Sequence, residues 1–326
     1  MHSSVDSHPR LLRWLRALWQ FSRPHTIVGT SLSVIGLAFI ALSTQYRGGA
    51  LLTAMPNSGS TWEFYQRFLG WIGAALVPSL AANVYIVGLN QCTDIDIDRI
   101  NKPQLPLASG EFSPRQGQWI VVCTGLLALG LAGLQGQRLV WTVGLSMLMG
   151  TVYSAPPIRL KRFPFWAALC IFGVRGVVVN LGFFLHFRYL LAGTGAIPWK
   201  VWVLTGFVIL FALAIAIFKD IPDQAGDLQF QVRTLTVRLG SLAVFRLSCW
   251  VLSMAYLGIV GIALWGGAAV DRGLLLATHL SILLLFWYRS RRVTLSNHRQ
   301  VTQFYQWIWK LFFLEYVIFP IACLWR

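Results

Sequence analysis

Nine apolar segments, each long enough or nearly long enough to cross a bilayer, run through this chain. They cover 25–45, 65–89, 117–136, 138–155, 164–187, 200–219, 243–265, 273–288 and 304–325. About 20 apolar residues in a helix span the hydrocarbon core, whereas a barrel strand needs only about 10. Inside lipid every backbone N–H and C=O must find a partner within the protein, so segments of this length are helices. The pattern predicts an all-α fold: a polytopic membrane protein with nine transmembrane helices around a central cavity. Only Gly136 and Gln137 part the third and fourth segments, which predicts a tight helical hairpin. Residues 1–24 read as a basic N-terminal segment with no small-residue cleavage site, and 25–326 as one membrane domain. Composition agrees, since 12% of the residues are charged against about 25% in soluble proteins.

The net charge is +16, from 27 basic and 11 acidic residues. In a soluble protein such an excess points to nucleic acid. Here the basic residues fall mainly in alternate loops. Eighteen lie on one side: Arg10, Arg13, Arg16 and Arg23; Arg99, Lys102 and Arg115; Arg159, Lys161 and Arg162; Lys219, Arg233, Arg238 and Arg246; Arg289, Arg291, Arg292 and Arg299. Seven lie on the other: Arg47, Arg67, Arg138, Arg188, Lys200, Arg272 and Arg326. The excess predicts an N-terminus inside, a C-terminus outside, and contact with anionic lipid headgroups, without nucleic acid. No segment implies a protein partner. Cys92, Cys123, Cys170, Cys249 and Cys323 are scattered and read as small apolar thiols; neither they nor the six histidines show metal-ligand spacing.

The acids are concentrated. Six of the 11 fall in two short windows, Asp94, Asp96 and Asp98 in one, Asp220, Asp223 and Asp227 in the other. Each window ends an inward-running segment, so both meet the same membrane face. Asn90, Asp94 and Asp98 are spaced i, i+4, i+8, and Asp220, Asp223 and Asp227 i, i+3, i+7. Each set shares a helix face if helicity persists, through Pro222 in the second. Asp96 points away from its neighbours. Stacked carboxylates at a membrane helix end repel one another unless cations are near. Two facing rows with oxygen donors only suit Mg²⁺, which keeps waters and completes its shell with substrate phosphates. Such bridging requires the rows to lie within about 15 Å of one another. A transport site would place its acids near the midplane, away from helix ends.

Cations accompany the acids. Arg159, Lys161 and Arg162 follow Pro156 and Pro157 in a proline-stiffened loop on the same face, and Arg99 and Lys102 follow the first window. Fixed cations of this kind stabilise a departing diphosphate; positive-inside bias is the other reading. Arg175 and Asn180 lie inside the fifth segment, where a buried guanidinium needs a partner such as an acid row or an anionic substrate.

These residues carry a family resemblance. Asn90-x-x-x-Asp94-x-x-x-Asp98, followed by Asp223-x-x-x-Asp227, resembles the paired acidic motifs of the UbiA-type membrane prenyltransferases. The longer strings at 90–110, 153–162 (Tyr-Ser-x-Pro-Pro-x-Arg-Leu-Lys-Arg), 174–182, 217–227 and 304–316 are similar to the homogentisate phytyltransferase branch. Gln91 stands where many superfamily members have Asp, as is common in that branch. The resemblance implies transfer of a C20 prenyl group, phytyl, from its diphosphate to homogentisate. Carbon dioxide is lost and a methyl-phytyl-benzoquinol forms on the way to tocopherol. It implies Mg²⁺ as cofactor, with Asn90, Asp94, Asp98, Asp220, Asp223 and Asp227 as ligands. Arg99, Lys102, Arg159, Lys161 and Lys219 would bind the diphosphate alongside Asn90, Tyr153 and Lys161 would assist its departure, and Arg175 or Asn180 would take the acceptor's carboxylate. A cyanobacterial or plastid membrane is implied. Other donors (geranylgeranyl or solanesyl diphosphate) and acceptors (4-hydroxybenzoate, a naphthoate, chlorophyllide) stay open, as do a cation-coupled transporter and a non-catalytic isoprenoid binder.

Overall fold

A computed structural model describes residues 10–45, 61–230, 234–266 and 269–325. Arg47, Arg233 and Arg326 of the charge tally, and residues 1–9 of the basic segment, lie outside these. Every regular element among the described residues is helical, without a strand. Helix α1 (Arg10–Phe21) precedes α2 (Pro24–Gln45) and α3 (Thr61–Thr93). Two short helices, α4 (Ile95–Asn101) and α5 (Pro106–Ser109), lead to α6 (Pro114–Gln135) and α7 (Gln137–Ser154). Then come α8 (Pro164–Phe172), a π-helical stretch (Gly173–Val179), α9 (Asn180–Ala192) and α10 (Trp199–Phe218). Two more short helices, α11 (Gln224–Gln229) and α12 (Leu235–Leu239), precede α13 (Ser241–Trp265), α14 (Arg272–Ser290) and α15 (His298–Leu324).

Among the described residues eight helical segments are long and apolar enough to span, α8 through α9 counting as one. The predicted fourth segment forms α7, 18 residues long, hairpinned to α6 across Gly136 at φ 103°. It is less apolar because Gln137 and Arg138 open it, so the nine expected spans are eight by that measure plus α7. One buried apolar cluster draws residues from α2, α3, α6, α7, α9, α10, α13, α14 and α15. Its heart is aromatic, with Phe184, Phe187, Phe211, Phe218, Phe286, Phe312 and Phe319 fully buried. All five cysteines are free, and Cys123 alone of them is exposed.

Two expected helices break. Helicity in the first acidic window stops at Thr93, and Asp94 takes φ −124°, ψ 19° before α4 restarts. In the second, α10 ends at Phe218 and five residues of turn, Lys219 to Asp223, precede α11. Neither acidic set therefore lies along one helix face. Proline explains the second break, because Pro222 has no N–H to continue the ladder.

The fifth predicted segment is also remodelled. Its middle widens into the π stretch, and Asn180 fills the widened turn: Nδ2 donates to Gly176 O at 2.9 Å and Arg175 O at 3.4 Å. Tyr316 Oη donates to Asn180 Oδ1 at 2.7 Å. A fully buried amide with these partners satisfies carbonyls that the π geometry displaces.

Helix α1 is amphipathic. Ala17 and Phe21 pack beneath it against Leu107, Phe112 and Val121. Leu11, Leu12, Leu15 and Trp19 stay exposed on a second face, and Arg13 and Arg16 flank that face. Such a helix, two residues before a span, has the composition of one lying in the headgroup plane.

Candidate functional site

Five connections meet at one end of the bundle: α1–α2, α3–α6, α7–α8, α10–α13 and the turn into α15. Between them lies a cavity of about 1530 Å³. This exceeds the ~300–1,000 Å³ typical of small-ligand pockets, so it has room for an amphiphile and a second reactant together. Asn90, Asp94, Asp98, Lys102, Tyr153, Arg159, Lys161, Lys219, Asp220, Asp223 and Asp227 all line it.

The two acidic windows meet across α4 and α11. Lys102, one turn past Asp98, donates to Asp223 Oδ2 at 2.5 Å. Gly226 N donates to Asn101 Oδ1 at 2.9 Å. There is no space between the two: a Cβ on Gly226 would sit 2.4 Å from Asn101 Oδ1. Gly226→Ala is therefore expected to push α11 off α4 and lower any activity that needs both rows by about 10–100-fold, since a displacement near 1 Å can cost that much. Turnover measured beside an unchanged thermal midpoint checks it.

Each row is neutralised from within. Asp94 Oδ1 accepts from Arg159 Nη2 at 2.8 Å and is also paired with Lys161. Its Oδ2 accepts from Asn90 Nδ2 at 2.9 Å. Asp220 pairs with Lys219 at 2.7 Å. Arg23 donates to Asn90 Oδ1 at 3.0 Å and lies 3.9 Å from Asp98 Oδ2. The cavity centre thus holds five carboxyls, Asp94, Asp98, Asp220, Asp223 and Asp227, and five cations, Arg23, Lys102, Arg159, Lys161 and Lys219.

Among the described residues no three His, Cys, Asp or Glu side chains converge closely enough to hold a metal ion by themselves. The donors nonetheless fit a hard divalent cation, being oxygens only. Asp98 Oδ2 is buried without a hydrogen bond. Burial pushes the Asp98 carboxyl above its ordinary range, and it pushes Asp227 up to about 7. A divalent cation bound beside them would offset that burial by favouring the charged form.

Three expected residues lie elsewhere. Arg99 pairs with Asp96 at 2.8 Å, both well exposed, because the break at Asp94 rotates them away from the cavity centre. Arg175 is not a cavity-lining residue: its guanidinium lies over Trp309 at 5.0 Å and Phe312 at 5.6 Å, so aromatic faces supply its partner. Asn180 is occupied by the π stretch. Gln91 turns away as well, donating to Phe21 O at 2.7 Å and so clamping the end of α1.

Arg23 belongs to the site, although its position beside a basic tail suggests only topology. One signal is in the backbone. Among the described residues the two non-glycine positions with positive φ are Arg23 at 52° and Arg159 at 42°. Each costs about 1–3 kcal/mol of strain, and both side chains reach the first acidic row. The α15 wall, with Tyr305 and Trp309, also faces the cavity.

A profile of the UbiA prenyltransferase family matches residues 41–314. The homogentisate phytyltransferase of Synechocystis sp. is 47% identical over 308 residues, 94% of this chain and 96% of that protein. The homogentisate geranylgeranyltransferase of Triticum aestivum is 37% identical over 94% of this chain and 72% of that one. A UbiA homologue from Archaeoglobus fulgidus, solved with GPP and Mg²⁺ bound, shares the fold with a TM-score of 0.62 at 17% identity. That match covers 94% of this chain and 99% of the other.

Proposed function

We propose, from the premise that the chain belongs to the UbiA prenyltransferase family, that it transfers phytyl from phytyl diphosphate to homogentisate. Carbon dioxide and diphosphate leave, and a methyl-phytyl-benzoquinol of the tocopherol route forms. The observation that carries this reading is the cavity in which two acidic rows interlock through lysines and arginines at the mouth of a membrane bundle. The 47% identity to the Synechocystis enzyme supports phytyl over geranylgeranyl as the donor. Cyanobacterial and chloroplast relatives support a cyanobacterial or plastid membrane. The basic excess supports a site facing the cytoplasm or stroma.

The chemistry follows from the lining. Lys102, Arg159, Lys161 and Lys219 present fixed charge to the diphosphate, so the leaving group's charge is met without reorganisation. Asn90, Asp94, Asp98, Asp220, Asp223 and Asp227 would hold Mg²⁺, which when bound screens the same phosphates. Tyr153 sits beside Lys219 and Asp220 in the lining and offers its hydroxyl to the departing oxygen. Tyr305 and Trp309 present ring faces that shield an allylic cation from water.

The test is product identification. Purified protein in lipid nanodiscs receives homogentisate with equimolar phytyl and geranylgeranyl diphosphates and Mg²⁺. The expected result is a phytylated methylquinol as the main product, absent with chelator. A geranylgeranyl product in excess sinks the donor assignment, and no prenylated quinol sinks the reading.

A further inference from the structure

Helix α1 has three sides, and its apolar outer side is uncovered among the described residues. Ala17 and Phe21 are buried beneath it, and the Trp14 ring packs on that of Phe112 at 6.2 Å. Leu11, Leu15 and Trp19, at i, i+4 and i+8, form a second side with Leu12, each at least 47% exposed. Arg13, Arg16 and Gln20, at i, i+3 and i+7, form the third, and Gln20 lines the cavity. The helix contains no acid.

Two features say what covers the outer side. Only Ser22 and Arg23 separate α1 from the span α2, which sets α1 at the membrane surface. Leucines and tryptophans with arginines alongside match acyl chains below and anionic headgroups around them. A soluble anion would satisfy the arginines and leave the apolar side bare, and a second copy would bring up a like-charged surface. The seat under α1 is small, since Ala17 and Phe21 share a cluster with Leu107, Phe112 and Val121 apart from the main core. A helix of 12 residues is marginal alone in water, so α1 needs a second surface.

The position of α1 reaches the acidic row. Phe21 O accepts from Gln91 Nε2 at 2.7 Å, and a Cβ on Gly88 would lie 2.7 Å from the Phe21 ring. Asn90, beside Gln91, accepts from Arg23 at 3.0 Å. Arg23 keeps φ 52°, a strained backbone that persists only where its surroundings hold it.

We infer that α1 is a docking surface for anionic phospholipid, and that its seating there holds Arg23 against Asn90 and Asp98, so that turnover depends on headgroup charge. A ligand shifts an equilibrium only by its preference for one state. Each basic residue near an anionic surface supplies roughly fivefold, so Arg13 and Arg16 together set a ceiling of about 25-fold.

Nanodiscs of phosphatidylcholine alone, or of an equimolar mix with phosphatidylglycerol, test it by amide hydrogen exchange and by turnover. In the unaltered protein the mixed lipid is expected to slow exchange in α1 and at Arg23, whose N–H donates to Gln20 O at 3.1 Å. Prenyl transfer is expected to rise by about 5–25-fold, and the gain to shrink in high salt. Arg13→Gln/Arg16→Gln is expected to lose both effects while matching the unaltered protein in phosphatidylcholine, and Arg13→Lys/Arg16→Lys to keep both. Exchange in α1 that ignores the lipid, or a gain that survives in the glutamine variant, overturns the docking. Slowed exchange in α1 without a change at Arg23 or in turnover overturns the link to the site. Protection of α1 in both lipids with two copies in each disc gives the outer side to a second copy and overturns the proposal. The turnover arm alone rests on the proposed function. No prenylated quinol in either lipid overturns that function, and exchange in α1 and at Arg23 still decides the docking and the link.

Discussion

Replacing Asp94 with alanine is expected to abolish prenyl transfer, by on the order of 10³-fold or more, in protein that still inserts and keeps its thermal midpoint. Asp94 is where the site's parts are tied together. It sits at the break between α3 and α4, holds Arg159 and Lys161 with one oxygen, and receives Asn90 on the other. Its loss removes a carboxylate and frees two cations. Loss of one preorganised charge contact alone costs about 10²–10³-fold. Asp227→Ala on the facing row is expected to behave alike. Asp96→Ala is the internal contrast: it removes an exposed partner of Arg99 and is expected to leave turnover near that of the unaltered protein. Activity across a Mg²⁺ titration separates the three. Full turnover in Asp94→Ala or Asp227→Ala would remove the metal role.

The second large effect is on stability. His279 and Glu315 face each other at 3.2 Å between α14 and α15, almost fully buried. His279 Nδ1 lies 2.9 Å from Leu275 O, and Nε2 lies 3.2 Å from Glu315 Oε2. Glu315→Ala leaves the imidazole without its partner in an apolar interior. Breaking such a pair costs about 3–5 kcal/mol, a drop of roughly 5–10 °C in thermal midpoint. Replacing both with apolar residues of matching volume is expected to recover most of the loss. Neither residue lines the cavity, so folded Glu315→Ala protein assayed at low temperature should turn over normally. An unchanged midpoint would show that the pair contributes nothing to the fold.

The helices were legible because a bilayer imposes one rule on every span: no backbone group can be left for water to satisfy. Runs of apolar residues therefore carried the segments and, with the basic loops, the face on which the site lies. Spacing misled where the chain bends. The i, i+4, i+8 pattern from Asn90 to Asp98 is that of one helix face, but the ladder stops at Thr93 and Asp94 takes the corner. The turn lets the two rows meet, and no local periodicity reports a corner made by distant packing. Arg23 was hidden for a similar reason, since its partner Asn90 is 67 residues away. Arg175 and Asn180 show the converse. Polar groups in a span suggest a ligand, yet a π turn and an aromatic wall use them.

The interlocked charges have a consequence for recognition. Every cation at the cavity centre already has a carboxylate to hold, so the pocket behaves as a closed circuit that a guest must open at two points together. A phosphate ester arriving alone would pull the lysines away and leave bare carboxylates opposed. A divalent ion alone would turn the lysines loose with nothing to receive them. When both arrive, all the partners are exchanged and none is stranded. Affinity for either alone should then fall far below that for the combination, and the protein selects its guest by completeness as much as by shape.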